Sequence, residues 1–405
     1  MSPPTDAQIK RIVGTLNERG QFRSLVSMAT TPTRPQYERM LQDLYHMLHI
    51  TKPADQKRVE QFYSVRRSKM NVSHNRYREI FAFDRTAVRI PNDVRKWIST
   101  ATEHAGKKSG NGATIGDVEE LREDDSGYLN ANVIVDGKGS WWVACQAPLP
   151  VTNHPFLLAI LTRSATFKHA HLYGASPGTS PIRDLQAFPP KTAIIVQLTG
   201  LTEGDVVKAH QYLPTRVGHS VTYEPSAHLA AGQPSIKLTL DRTTPLPKTS
   251  SILSTLTLAP ASSEKISIPP MTVHHYLYEG WPDFGVPRGK DVQKLQELIA
   301  EVEMKQKEEA AGGCEVWVHC SAGVGRTGTY MALTSLLSKP MYPSSDYSRH
   351  PLFDSPIGPL PEPLRNDPIA SLVDLLREQR AVMCQSDAQV KLLYELYTEK
   401  AQGKQ

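Results

Sequence analysis

Cysteine is scarce in this chain: four residues in 405, at Cys145, Cys314, Cys320 and Cys384. They are too few and too scattered for a disulfide framework, and they lack the paired spacing of a zinc site. The expectation that follows is a reducing intracellular compartment, cytoplasmic or nuclear. Long apolar runs are missing as well. No stretch of about 18 or more apolar residues occurs, and Met1-Ser2-Pro3-Pro4 opens no hydrophobic signal segment, so neither a membrane span nor export is expected. A dominant charge is also missing. Lys plus Arg number 46 against 41 Asp plus Glu, a net charge of +5. Such an excess suits anionic substrates but, unclustered, excludes the basic footprint of a nucleic-acid binder.

Proline, by contrast, is plentiful, with 31 residues against a usual ~5% of a chain, and several long loops are expected. The length allows one large domain or two smaller ones. Residues 1–60 carry helical spacing at Met40, Leu41, Leu44, Tyr45 and Leu48, after breaks at Pro32 and Pro35. They read as a helical extension packed on the core, the alternative being a separate binding module. Residues 193–196, Ala-Ile-Ile-Val, form the continuous apolar run of a strand buried on both faces. Ile236, Leu238 and Leu240, then Leu253, Leu256 and Leu258, alternate as in an antiparallel section. Val292, Leu295, Ile299 and Val302 mark one face of an amphipathic helix, and Asp367-Pro368 starts another. Three stretches read as loops: residues 106–116, residues 169–190, and residues 340–363 with seven prolines. The last is expected to be a disordered insertion, with a docking site for a proline-recognising partner as the alternative. His169 and His171 lack a third ligand and read as surface loop residues, not a metal site.

The most informative stretch is residues 314–330, CEVWVHCSAGVGRTGTY. Val316 and Val318 alternate with Glu315, Trp317 and His319 as in a strand, and a loop with Gly323, Gly325 and Gly328 leads into a helix. Tight folding there lets successive N–H groups converge on an anion at a helix N-terminus. The same dipoles, with the Arg326 charge, would draw the Cys320 thiol from about 8.5 toward the thiolate that a nucleophile requires. Residues 323–328 also satisfy G-x-G-x-x-G, with Asp346 some 20 residues on, but Asp346 lies in a proline- and serine-rich stretch and not at the end of a second strand. An ATPase loop would need a following Gly-Lys-Ser/Thr, and a buried structural thiol would need neither Arg326 nor three glycines.

Residues 319–330 resemble the active-site loop His-Cys-(x)5-Arg-Ser/Thr of the cysteine-dependent protein phosphatases, in its tyrosine-specific form. Further segments resemble that family, in its order. Asn75-Arg76-Tyr77 is similar to its substrate-recognition segment, and residues 127–133 with Cys145-Gln146-Ala147-Pro148-Leu149 to a strand and turn. Residues 208–214 match a segment ending Gln-Tyr-Trp-Pro, with Leu213 in place of tryptophan. Trp281-Pro282-Asp283 matches a mobile acid loop, and residues 377–385 the closing motif. The resemblance implies an α/β (α+β) fold, a highly twisted mixed central sheet flanked by helices. It implies one catalytic domain over residues 61–400, with inserted loops near 104–118, 169–190 and 339–366.

It also implies a chemistry without metal or cofactor: hydrolysis of protein phosphotyrosine through a cysteinyl-phosphate. Cys320 is the implied nucleophile, and Arg326 with the loop residues Ser321, Ala322, Gly323, Val324 and Gly325 holds the phosphate. Asp283 is the implied acid, since the leaving phenolate has a pKa of about 10 and general-acid catalysis contributes roughly 10²–10⁴-fold. Thr327 assists thiolate departure and Gln385 orients the hydrolytic water. Gln389 is either the capping partner of Ser386 or a second glutamine displaced by substrate. Tyr77 sets the depth of an aromatic slot, and Glu79 stands where the family has an aspartate that contacts the substrate backbone. Glu203 holds Arg326, while Lys208, Trp281 and His319 support the site. Two rival readings from other classes remain. A phosphotyrosine-binding pseudophosphatase would lack the nucleophile, arginine or acid, all present here. A phosphoinositide phosphatase would place basic residues where Ser321, Ala322 and Val324 stand.

Overall fold

Alternation along two strands sets the layering of the molecule. In the computed structural model, which describes residues 4–29, 35–47, 50–96, 126–173, 192–261, 268–282, 285–309, 314–338 and 355–403, Ile194 and Val196 face one core while Ala193 and Ile195 face another. Val316 and Val318 likewise oppose Trp317. A strand covered on both faces favours apolar residues on both, which is why residues 193–196 and 316–318 are continuous apolar runs.

Two short pairs lie outside the main sheet: β1 (Ile90–Pro91) with β2 (Ser126–Gly127), and a hairpin described below. The main sheet begins with β3 (Ala131–Val135), β4 (Trp141–Cys145) and β5 (Thr192–Gln197). After the hairpin β6 (Thr202–Glu203) and β7 (Val206–Val207) come β8 (Ser220–Tyr223), β9 (Ile236–Leu246), β10 (Ser251–Pro260), β11 (Met271–Tyr278) and β12 (Glu315–His319). The eight strands run in the order β3-β4-β12-β5-β11-β10-β9-β8. The four central ones are mutually parallel and the flanks antiparallel. This is the mixed central sheet flanked by helices that the sequence implies. The helix Asn153–Leu161 packs on one face. On the other lie Lys290–Glu308, Gly325–Leu337, Pro368–Gln379 and Asp387–Ala401, joined by Ile9, Ile12, Val13 and Leu16 of the first helix, Asp6–Ala29. Among the described residues no helix is long and apolar enough to cross a membrane.

Two loop expectations change. The helix Ser164–Tyr173 runs through the start of the stretch read as loop from residue 169. His169 is buried there, its ring stacked on Trp141 at 4.5 Å, because a flat aromatic face offers more to an imidazole than solvent does. Residues 174–191 and the insertion near 104–118 lie outside the described residues, as does the proline-rich stretch up to residue 354. From Ser355 onward that stretch is packed and not disordered. Arg19 donates to the Gly358 carbonyl at 2.7 Å, Ser355 Oγ donates to Glu378 at 2.8 Å, and Leu360 is buried.

The first helix is fastened by buried charge. Arg23 Nη2 lies 2.5 Å from Asp374 and 2.6 Å from Glu378, and Tyr63 donates to Glu378 at 2.6 Å. Burial alone would raise the Asp374 carboxyl, but the charges of Arg23 and Arg19 outweigh it and hold it below the ordinary value. This contribution is complete above the ordinary aspartate value and is lost as pH falls through the lowered one. Removing one member of a buried pair destabilises by roughly 3–5 kcal/mol. Since Arg19 stays on Asp374, Arg23→Ala is expected to lower the unfolding free energy by about 3 kcal/mol, the low end of that range, read from urea denaturation.

Candidate active site

The site grows from the C-terminal end of β12. His319 closes the strand, Cys320 is 6% exposed, and the chain turns sharply into the helix Gly325–Leu337. The turn depends on Gly323, whose φ is +72° and whose missing Cβ would lie 2.0 Å from the Cys145 carbonyl oxygen on β4. Only glycine meets both conditions. Its N–H donates to Cys320 Sγ at 3.3 Å, so the turn directs a dipole at the sulfur.

Every carbonyl from Cys320 to Val324 has a donor. That of Cys320 accepts from His319 Nδ1 at 3.1 Å, and that of Ser321 from Ala147 N at 2.9 Å. Those of Ala322 and Gly323 accept from Arg380 Nη2 at 3.0 Å and Nε at 2.8 Å. That of Val324 accepts from Gly328 N and Cys384 N. Arg380 also reaches Asn132 and Asn130 at 2.7 and 2.8 Å. Burial pulls its guanidinium down to about 10, still a cation near neutrality. Burial also pushes the His319 imidazole down to about 4. A neutral ring whose Nδ1 donates to a carbonyl has Nε2 as its acceptor, and Tyr212 supplies that bond at 2.9 Å.

Arg326 opens the helix beside Cys320. Its Nη1 is hydrogen-bonded to Glu203 and, at 3.2 Å, to the Leu198 carbonyl. Burial would raise the Glu203 carboxyl, but hydrogen bonds from Arg326 and Thr199, with the charges of Arg326 and Lys208, hold it below the ordinary value. Lys208 Nζ is 3.9 Å from the other Glu203 oxygen. Arg326 Nη2 donates to the Pro282 carbonyl at 3.3 Å, and the buried Trp281 donates to Gly285 O at 3.3 Å across the same turn. Asp283, between Pro282 and Gly285, lies outside the described residues.

The segment carrying Tyr77 meets the loop at Ser321. Tyr77 Oη and Ser321 Oγ are 2.8 Å apart, and Ser321 donates to the Lys208 carbonyl at 2.7 Å. Glu79 is exposed in the turn beyond. A Cβ on Gly325 would lie 3.1 Å from Gln389 Nε2 and 3.4 Å from Gln385 Oε1, so both glutamines border the helix start. Gln389 also closes a capping box with Ser386. Thr327 Oγ1 is buried with no hydrogen-bond partner among the described residues.

Sequence reasoning missed Arg380 as a loop clamp and Arg76 as an anchor. The N–H of Arg76 donates to Gln146 at 2.8 Å and its guanidinium to the Ala147 and Pro148 carbonyls at 3.1 and 2.9 Å. Both lie in segments that resemble the family, but nothing local marks these contacts, since an arginine by itself reads as a solvated charge.

A thiol at a strand end, under a helix N-terminus and beside a carboxylate-held arginine, defines a cysteine-based oxyanion site. Comparison with known sequences agrees with that class. The protein-tyrosine phosphatase family profile matches residues 187–399, and the chain belongs to the protein-tyrosine phosphatase family. Among relatives, receptor-type tyrosine-protein phosphatase epsilon of Homo sapiens is 33% identical over 150 residues, 37% of this chain and 19% of that protein. Human tyrosine-protein phosphatase non-receptor type 4 is 25% identical over 334 residues, 80% of this chain and 25% of that protein. Tyrosine-protein phosphatase 3 of Schizosaccharomyces pombe is 25% identical over 272 residues, 67% of this chain and 66% of that protein. The chain thus spans a quarter or less of the two human relatives. The crystal structure of the Trypanosoma cruzi protein tyrosine phosphatase TcPTP1 shares the fold, with TM-score 0.52 and 23% identity over 91% of this chain and 92% of that one.

Gly323→Ala places a methyl group within 2.0 Å of a main-chain oxygen that the sheet holds in place. The variant is expected to lose binding of oxyanions such as tungstate, measured by calorimetry, while its far-ultraviolet circular dichroism stays close to that of the parent.

Proposed function

We propose that the chain hydrolyses phosphotyrosine in proteins through a cysteinyl-phosphate intermediate, with Asp283 as general acid and base. One observation carries this reading: the loop holding Cys320 and Arg326 is hydrogen-bonded through Ser321 to the hydroxyl of Tyr77, so a phosphate cradle and an aromatic wall share one pocket. A phosphoserine phosphate, carried close to its peptide backbone, falls short of a thiol at the bottom of such a slot.

In the first step the Cys320 thiolate attacks phosphorus, the bond to the tyrosine oxygen breaks, and Asp283 protonates the departing phenolate. Arg326 and the loop N–H groups from Ser321 to Thr327 hold the equatorial oxygens throughout. Glu203 and Lys208 fix the arginine's direction. The contact from Arg326 to the Pro282 carbonyl supports the assignment of Asp283, since it holds the neighbouring residue at the cradle. In the second step a water bound by Gln385 loses its proton to Asp283 and attacks phosphorus, and the phosphorus–sulfur bond breaks. The unpartnered Thr327 hydroxyl receives the returning thiolate charge. Gln389 borders the same space and yields to substrate, Glu79 meets the substrate backbone, and Trp281 anchors the acid loop. His319, neutral and bonded on both nitrogens, fixes the Cys320 carbonyl. Residues 61–400 form the catalytic unit in this reading, with residues 1–60 covering it.

Cys320→Ser is expected to abolish turnover of a phosphotyrosyl peptide. Asp283→Ala is expected to slow it by roughly 10²–10⁴-fold with binding retained. In a panel of phosphotyrosyl peptide, phosphoseryl peptide and soluble inositol phosphate, only the first should be hydrolysed efficiently. Efficient hydrolysis by Cys320→Ser would overturn the nucleophile assignment, and preference for the inositol phosphate would overturn the substrate.

A further inference from the structure

Two chain segments flank Ser321 and are joined through its hydroxyl: the recognition segment by Tyr77 and the stretch after β7 by the Lys208 carbonyl. The same two segments are joined a second time, away from Ser321 in sequence. Arg76 Nη2 lies 2.8 Å from Nδ1 of His210, two residues beyond Lys208. Both ends of this second link are anchored. Arg76 is fixed on the Gln146–Pro148 turn by its N–H and guanidinium. His210 stands between Ala209, whose N–H donates to the Leu201 carbonyl at 3.1 Å, and Tyr212, buried beneath His319.

The chemistry of the pair allows one protonation state. An arginine side chain is a cation with donors only, so Nδ1 of His210 must be the acceptor and the ring must be neutral with its proton on Nε2. A protonated imidazole has no lone pair to offer and would set two cations at hydrogen-bond distance. We propose that His210 is a positioning residue for substrate recognition: as the neutral ring it ties the Tyr77 wall to the Lys208 segment, and protonation releases that tie and weakens phosphotyrosyl-peptide binding. Burial first, and then the Arg76 charge, push the His210 pKa below the ordinary histidine value. Arg76 is the charged group facing it from the recognition segment, and Lys208 lies on its own stretch. Among the described residues no carboxylate acts on it to favour the cation. The link is therefore complete above the ordinary value of ~6.5 and is lost as pH falls through the lowered one.

His210's role rests on the phosphotyrosine reading of the pocket, and the test separates the two. KM and kcat for a phosphotyrosyl peptide are measured between about pH 5 and about pH 8 for the parent chain, His210→Gln and His210→Lys. Glutamine offers an uncharged acceptor at all these values, and lysine mimics the protonated ring. Every other group is common to the three proteins, so its effect cancels in the ratios. The parent's KM is expected to rise about threefold to tenfold relative to His210→Gln on the acid side, the worth of one net hydrogen bond, with kcat unchanged. His210→Lys should show the raised KM at every pH. A flat ratio of parent to His210→Gln, or a normal KM for His210→Lys near neutrality, overturns the proposal.

A second measurement does not depend on turnover. Nitrogen-15 resonances of His210 are expected to report the Nε2–H tautomer and a pKa below ~6.5 that rises in Arg76→Ala. Titration unmoved by that substitution overturns the link even if the chain hydrolyses the peptide well. Absence of peptide hydrolysis by the parent at every pH defeats the functional reading, and the resonances then decide the His210–Arg76 contact by themselves.

Discussion

A backbone turn that aims its N–H groups inward must send its carbonyls outward, into the protein. Buried carbonyls need donors, because an unpaired buried polar group costs about 1–3 kcal/mol. The whole site can be understood as the solution to that demand. Arg380 is its centre: a fully buried cation whose guanidinium spans the Ala322 and Gly323 carbonyls on one side and Asn130 and Asn132 on the other. A buried arginine is tolerable only when such acceptors surround it. The carbonyls and the cation therefore make each other possible, and together they fix the shape of the loop.

The remaining donors come from elements far apart in the chain, and each brings a functional segment with it. Ala147 N ties the loop to β4, and the turn beyond β4 carries Arg76, hence Tyr77. Cys384 N ties it to the connection before the last helix, which delivers Gln385 and Gln389. That connection is strained. Val382 and Cys384 have φ of +64° and +53°, a region non-glycine residues avoid. The strain persists because Arg377 grips the Met383 and Cys384 carbonyls at 2.9 and 3.0 Å. It is accommodated because a Cβ on Gly328 would lie 2.5 Å from Cys384 N, so only glycine lets the connection come so close. Arg377 in turn touches Asn17 of the first helix at 3.2 Å, and the N-terminal residues thereby reach the shell of the site.

Much of this architecture was legible in sequence where the signal was local. The doubly buried strand at residues 193–196, the antiparallel section after residue 235 and the helix start at Asp367 follow from periodicity and capping, which depend on neighbouring residues alone. The loop string from His319 to Tyr330 was legible for the same reason, since cysteine, arginine and glycines needed for one small cradle must be close in sequence. His169 was misread because its stacking partner, Trp141, is 28 positions away. The packing of residues 355–363 escaped because Arg19, which grips them, is more than 300 positions away.

Sequence by itself determined the chemistry on offer: a thiol, a guanidinium and three glycines in one short run, and hydrophobic periods that mark a doubly buried strand and an antiparallel section. Tertiary structure alone decided which polar groups serve that loop. Arg380, Arg76 and His210 carry no sign of these contacts in the linear chain, and their meaning comes from the carbonyls and lone pairs that folding brings within hydrogen-bond reach. The physical reason is range. Periodicity and turn geometry act between near neighbours, whereas the satisfaction of a buried polar group depends on whatever the fold places within about 3 Å of it.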